Sequence, residues 1–224
     1  MDSNRKTSVI VGALFLIAMV AAFLGPNLNI PDYLSSVSAN STQVIVGSLI
    51  ELVGIAAAVV AIAFMMFPIL RRQNDALALG YVGFRILEAV VVVIGAMSAL
   101  LLLSLSQAFM KAGAQDAAYF QTLGALLLAA RDWTFLMTAI FFGLGAVIFY
   151  YLLYQSRLIP RYISVWGFFA AILILAANLP NMFGQIIPTI SGLLLALPII
   201  SNEVLLGIWL IVKGFSPAAA VKGN

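Results

Sequence analysis

The sequence predicts an all-α fold: a polytopic membrane bundle of about six transmembrane helices with both termini cytoplasmic. Three observations predict it. Hydrophobic residues make up 64% of the chain and charged residues 8%, against about a quarter charged in soluble domains, and the mean hydropathy is +1.13. Six apolar runs each reach the roughly 20 residues that a membrane crossing needs. Basic residues gather on alternate connections, which fixes orientation by the positive-inside rule. The 224 residues leave no room for a separate soluble domain, so residues 1–224 read as a single integral membrane domain.

The first helix runs from about Thr7 to Leu24 behind Arg5 and Lys6. It lacks a small-x-small cleavage site before Gly25 and Pro26, so it reads as a retained anchor, not a signal peptide. A loop with Pro26, Pro31 and a Ser-rich end precedes the second helix, Gln43 to Leu70, which Arg71 and Arg72 close. The third helix covers Leu77 to Ser106, and QAFMKAGAQDAAYFQ, residues 107–121, connects it to the fourth, Thr122 to Tyr154. Both long loops either fold as short interfacial helices, cap a cavity, or serve as connectors. Arg157 and Arg161 flank the turn into the fifth helix, Ile163 to Phe183, and Lys213 and Lys222 follow the sixth, Ser191 to Val212. Eight basic residues thus share one face with the termini, and only Lys111 falls on the other.

The absence of Cys and His excludes a thiol nucleophile, a disulfide, an imidazole base and the usual zinc, haem and iron-sulfur ligand sets. No cofactor is expected. The net charge of +3 does not point to nucleic acid, because the basic residues sit at helix ends and form no patch interleaved with aromatics. The expected partners are the lipid bilayer and a small molecule or ion, with any protein partner left open.

Three stretches, ALALGYVGFRILEA, KAGAQDAAYFQTLGALLLAARDW and YYLLYQSRLIPRYISVWG, resemble the domain of unknown function 4386 family of bacterial and archaeal integral membrane proteins. The likeness covers nearly the whole chain. It implies a six-pass protein of a prokaryotic inner membrane and supplies no site residues.

Candidate functional residues come from the charges inside the spans: Glu51, Arg85, Glu88, Arg131, Asp132 and Glu203. Counting at 1.5 Å per residue from the expected helix ends puts all six near the midplane. A charge there costs about 2.5–3.5 kcal/mol on insertion scales, so all six are expected to face inward. Arg131 and Asp132 are adjacent and so point about 100° apart, and each needs a partner on another helix. Arg85 and Glu88 share a face; the expected pairs are Asp132 with Arg85, and Arg131 with Glu51, Glu88 or Glu203. Four carboxylates against two guanidiniums leave one or two acids to carry a proton or hold a cation, Glu203 first, with Ser201 and Asn202 beside it as hydrogen-bond partners, and Glu51 second.

Asn178-Leu179-Pro180-Asn181 in the fifth helix and Pro198 in the sixth read as paired helix breaks, because proline removes a backbone donor, and such breaks line binding sites in many transporters. Asn178 and Asn202 therefore join the candidates. The leading functional reading is a small proton- or cation-linked, or small-solute, transporter with Glu203, Asp132 and Glu51 as titrating or coordinating groups. A purely structural or regulatory membrane subunit is the first alternative, its charges a dry network that sets helix register. An intramembrane enzyme acting on lipid is the second, although no GxSxG, HExxH or paired-aspartate motif supports it.

Overall fold

The computed structural model describes residues 3–28, 30–112, 116–184 and 189–216. All regular structure among them is helical. Six helices are long and apolar enough to cross a membrane: α1 (Ser3–Phe23), the composite of α3 (Ser41–Ile50) and α4 (Ala58–Leu70), α5 (Asp75–Ala112), α6 (Ala117–Ser156), α7 (Arg161–Met182) and α8 (Thr189–Val212). A short α2 (Tyr33–Ala39) lies between the first two spans.

Local chemistry sets several of the ends. The Asn74 side chain accepts from the Leu77 N–H at 2.9 Å and starts α5, as an amide oxygen at a helix N-terminus does. Arg157 takes a left-handed conformation, φ 54°, which ends α6, and Pro160 precedes α7, where its missing N–H costs no helix bond.

Each span packs against the next along the chain, and α8 returns to pack on α1, so the six close into a ring. The closing seam is held in two ways. A side chain on Gly12 of α1 would meet the Gly207 carbonyl of α8 at 2.6 Å, so glycine permits the backbones to approach. Arg5 donates to the carbonyls of Leu210, Ile211 and Val212 at 3.2, 2.7 and 3.1 Å, satisfying the open C-terminal end of α8 with a positive charge.

The half of the ring nearest the termini, here the basic face, is filled by a close-packed core. Tyr81, Phe149, Tyr150, Leu70, Leu153 and Leu206 are fully buried there, and the Tyr81 and Phe149 rings stack at 4.9 Å. A second, smaller core at the opposite face joins Leu28 and Val37 to Ala99, Leu102 and Leu103.

Two sequence expectations are corrected. The 107–121 segment is mostly helix: α5 runs on to Ala112 and α6 begins at Ala117, because Gln, Met, Lys and Ala there are good helix formers. At 38 and 40 residues, α5 and α6 are about 57 and 60 Å long, nearly twice a roughly 30 Å hydrocarbon core. They project past the far face, and the loop after α1 packs on them, with the Tyr33 hydroxyl donating to the Gln121 carbonyl at 3.0 Å and Ser106 bonding the Leu34 carbonyl. The paired proline breaks are absent as well, since α7 passes through Pro180 and α8 through Pro198 without interruption. The irregular turn lies elsewhere, in a π-helical segment over Glu51–Ala57. Such a segment holds an extra residue per turn and frequently marks functional sites.

Candidate functional site

The ring encloses a cavity of about 380 Å³ to which all six spans contribute, a volume within the range of small-molecule pockets. Its walls are mostly apolar and aromatic, with Phe15, Ile62, Val92 and Phe142 among them; Thr134 and Thr138 add hydroxyls, and its charged groups fall in two tiers.

The tier nearer the basic face is Arg85, Glu88 and Glu203. Arg85 Nη1 donates to Glu88 Oε2 at 2.8 Å, one helical turn apart on α5, and both are about 97% shielded. The guanidinium lies between two rings, 5.1 Å from Phe142 and 5.5 Å from Tyr81, a favourable placement for a cation. Its Nε has no hydrogen-bond partner. Glu203 projects from α8 within electrostatic reach of both and turns part of its surface to the cavity. No hydrogen bond or ion pair engages it among the described residues. Ser201 and Asn202 are spent elsewhere, Ser201 on the Leu197 carbonyl at 2.7 Å and Asn202 on the Ile163 carbonyl at 2.9 Å.

The far tier is the pair of Arg131 and Glu51. Arg131 Nη2 donates to Glu51 Oε1 at 2.5 Å and Nη1 to Oε2 at 3.3 Å, a two-pronged arrangement that fixes geometry as well as charge. Nη1 also donates to the Gly95 carbonyl at 2.8 Å, and the guanidinium sits 5.0 Å from the Phe135 ring. Glu51 is the first residue of the π segment, so this irregular turn sets the position of its carboxylate. A side chain on Gly25 would strike that carboxylate directly. Gly25→Ala is therefore expected to push Glu51 off Arg131 and cost about 1–3 kcal/mol, as overpacking does, read as lower thermal stability in detergent.

The two tiers are about 15 Å apart, since Arg131 reaches Gly95, ten residues beyond Arg85 on the same helix. Counted from the basic face, Arg85, Glu88 and Glu203 lie about 14–20 Å deep, whereas Glu51 and Gly95 lie at about 29–30 Å. The charges therefore stand in two tiers along the ring, not in the single cluster expected from the sequence. Below the near tier the cavity ends on the close-packed core. At the far tier, the rim residues Phe23 and Phe135 are 65% and 58% exposed.

Five of the eight sequence candidates, Glu51, Arg85, Glu88, Arg131 and Glu203, line this cavity. Arg131 takes Glu51, one of its three expected partners. The expected Asp132–Arg85 pair does not form: Arg85 is bound by Glu88, and Asp132 is exposed in a separate groove with Asn178 and Asn181. The reason is direction: adjacent helical residues point about 100° apart, so with Arg131 turned into the cavity Asp132 faces the outer groove. Asn202 is fully buried behind the cavity wall and ties α8 to the start of α7.

The sequence reading missed Phe142 and Tyr81, the rings that hold Arg85, and Gly25. Tyr81 was open to detection, being four residues before Arg85 and thus on its face. No group of His, Cys, Asp and Glu suited to a metal ion occurs among the described residues.

The family described as domain of unknown function (DUF4386) matches residues 10–214 of the chain. No curated protein and no solved structure matches it.

Proposed function

We propose a function for this chain, which belongs to the DUF4386 family and has six helices long and apolar enough to cross a membrane, from its cavity: it is a small transporter that holds a solute between the two charged tiers and binds a proton or monovalent cation at Glu203. The observation that carries the proposal is the unpaired Glu203 carboxylate on the wall of an apolar cavity at mid-membrane depth. Ionisable groups are costly at that depth and mark ion or substrate pathways by default. Every other charge on the cavity wall is already matched by an ion pair, which leaves Glu203 free to exchange its counter-ion.

The packing suggests how access would be controlled. The core around Tyr81, Phe149 and Tyr150 closes the cavity toward the basic face, and the Arg131–Glu51 pair stands at the far end beside the exposed Phe23 and Phe135. The hydroxyls of Tyr81 and Tyr150 and the Ser164 Oγ, buried without partners below Glu203, offer groups along which a proton could leave toward the basic face. The excess of basic residues on that face supports a cytoplasmic location for both termini in a prokaryotic inner membrane.

Reconstitution into liposomes tests the proposal. The wild type is expected to carry a proton or monovalent-cation flux, followed by an entrapped pH dye, that varies with pH. Glu203→Gln should lower it at least ten-fold, while Asp132→Asn should leave it intact. Liposomes that stay sealed across a broad pH range, or a flux indifferent to Glu203→Gln, would contradict it.

A further inference from the structure

We infer that the solute is a lipophilic organic cation: a quaternary or protonated amine whose apolar body fills the cavity between the tiers while its charge rests against Glu203. The inference rests on the transporter reading above and names its substrate class.

Charge is the first ground. The cavity wall carries three carboxylates, Glu51, Glu88 and Glu203, and two guanidiniums, Arg85 and Arg131, which sums to one unmatched negative charge when all are ionised. Arg131 has both terminal nitrogens committed, to the two Glu51 oxygens and to the Gly95 carbonyl, so it retains little capacity to receive an anionic ligand. Arg85 is held by Glu88 and faces Glu203 as well. An anion entering there would be the third negative group around one guanidinium. A cation would be the second positive group among two carboxylates, and so neutralises the tier.

The walls are the second ground. Apart from the two tiers, α1 and α7 bring only apolar side chains to the cavity, Phe15, Met19 and Phe23 from the first and Ile174 from the second. A strongly hydrated inorganic ion would find little beyond Glu203 and the Thr134 and Thr138 hydroxyls to replace its water, whereas an amine with hydrocarbon substituents loses little water and gains apolar contact. Aromatic faces such as Phe15 favour cations over anions through the ring quadrupole. The titratable and charged groups facing Glu203 are Tyr81, Arg85 and Glu88 on α5 and Tyr150 on α6.

Entry is the third ground. The exposed rim at Phe23 and Phe135 lies at the far edge of the hydrocarbon core, the depth at which amphipathic amines collect in a bilayer. A ligand of this class would enter from that rim with its charge leading, so that the ammonium reaches Glu203 and the apolar body lies behind it between the tiers.

The test is a binding comparison on the purified full chain in lipid nanodiscs, by equilibrium dialysis against three ligands of matched shape: 4-phenylbutyltrimethylammonium, 4-phenylbutanol and 4-phenylbutyrate. The expected result is that the cation binds at least ten-fold more tightly than the alcohol or the carboxylate. Glu203→Gln should abolish that preference while leaving alcohol binding within about two-fold, which shows the cavity still formed, and Glu203→Asp should keep most of the preference. Equal or tighter binding of the alcohol or carboxylate would overturn the inference, as would a preference that survives Glu203→Gln. Ion flux that depends on Glu203 without cation preference would retain the transporter reading and reject this substrate class. Cation preference with sealed liposomes would do the reverse.

Discussion

Replacing Arg131 with Ala is expected to destabilise the protein by about 3–5 kcal/mol, because it leaves the Glu51 carboxylate buried without a counter-charge. Arg131 and Glu51 are each about 95% shielded, and Glu51 has no other ion pair among the described residues, so the loss is not made up locally. Thermal unfolding in detergent would read it as a large fall in midpoint. Most of the loss should return when Glu51→Gln is added, since the uncompensated charge then disappears. The return is the informative part. If the double variant were no more stable than Arg131→Ala alone, the cost would come from the Gly95 and Phe135 contacts and not from the ion pair.

Arg85→Ala should cost as much, about 3–5 kcal/mol, with a different pattern of rescue. Two carboxylates depend on this one guanidinium, Glu88 by a direct bond and Glu203 through space. Adding Glu88→Gln should therefore recover only part of the stability, and adding Glu203→Gln as well should recover most of the remainder. The same thermal measurement on the single, double and triple variants decides this. Full recovery from Glu88→Gln alone would mean that Glu203 does not share the tier. Replacing Arg85 and Glu88 with Met and Glu203 with Gln together would be close to neutral in stability, as apolar substitution of a buried pair often is.

Sequence reasoning reached the class of fold and most of the site for definite physical reasons, and it failed where one assumption broke. Helices long and apolar enough for membrane crossings are evident from composition and run length, because no soluble fold tolerates so few charges. Glu51, Arg85, Glu88, Arg131 and Glu203 were identifiable because each is an ionisable residue in an apolar run. Their grouping is not legible, because relative depth on different helices depends on where each helix begins: with α5 and α6 at about 57 and 60 Å the single expected cluster separates into two tiers, and Asp132 turns out of the ring about 100° from Arg131.

The other differences have equally local causes. Proline marks a lost donor, but α7 and α8 carry Pro180 and Pro198 without interruption, whereas the π segment at Glu51–Ala57 follows from packing that no residue pattern in ELVGIAA announces. The Arg85–Glu88 pair was implicit in their spacing of three. One turn of α5 brings the two groups to 2.8 Å, so Arg85 is satisfied on its own helix and not by the expected Asp132.

The absence of cysteine from the chain allows a direct test of whether the cavity is an accessible binding site or a dry void within a charge network. Single cysteines at Thr138 and Ile200 on the cavity wall, and at Leu206 in the closed core, would each be exposed to a small neutral thiol reagent in nanodiscs, with and without 4-phenylbutyltrimethylammonium. Rapid labelling at Thr138→Cys and Ile200→Cys, slowed by the cation, with no labelling at Leu206→Cys, is the predicted result. Cavity cysteines as unreactive as Leu206→Cys would contradict it and leave the buried charges with a structural role alone.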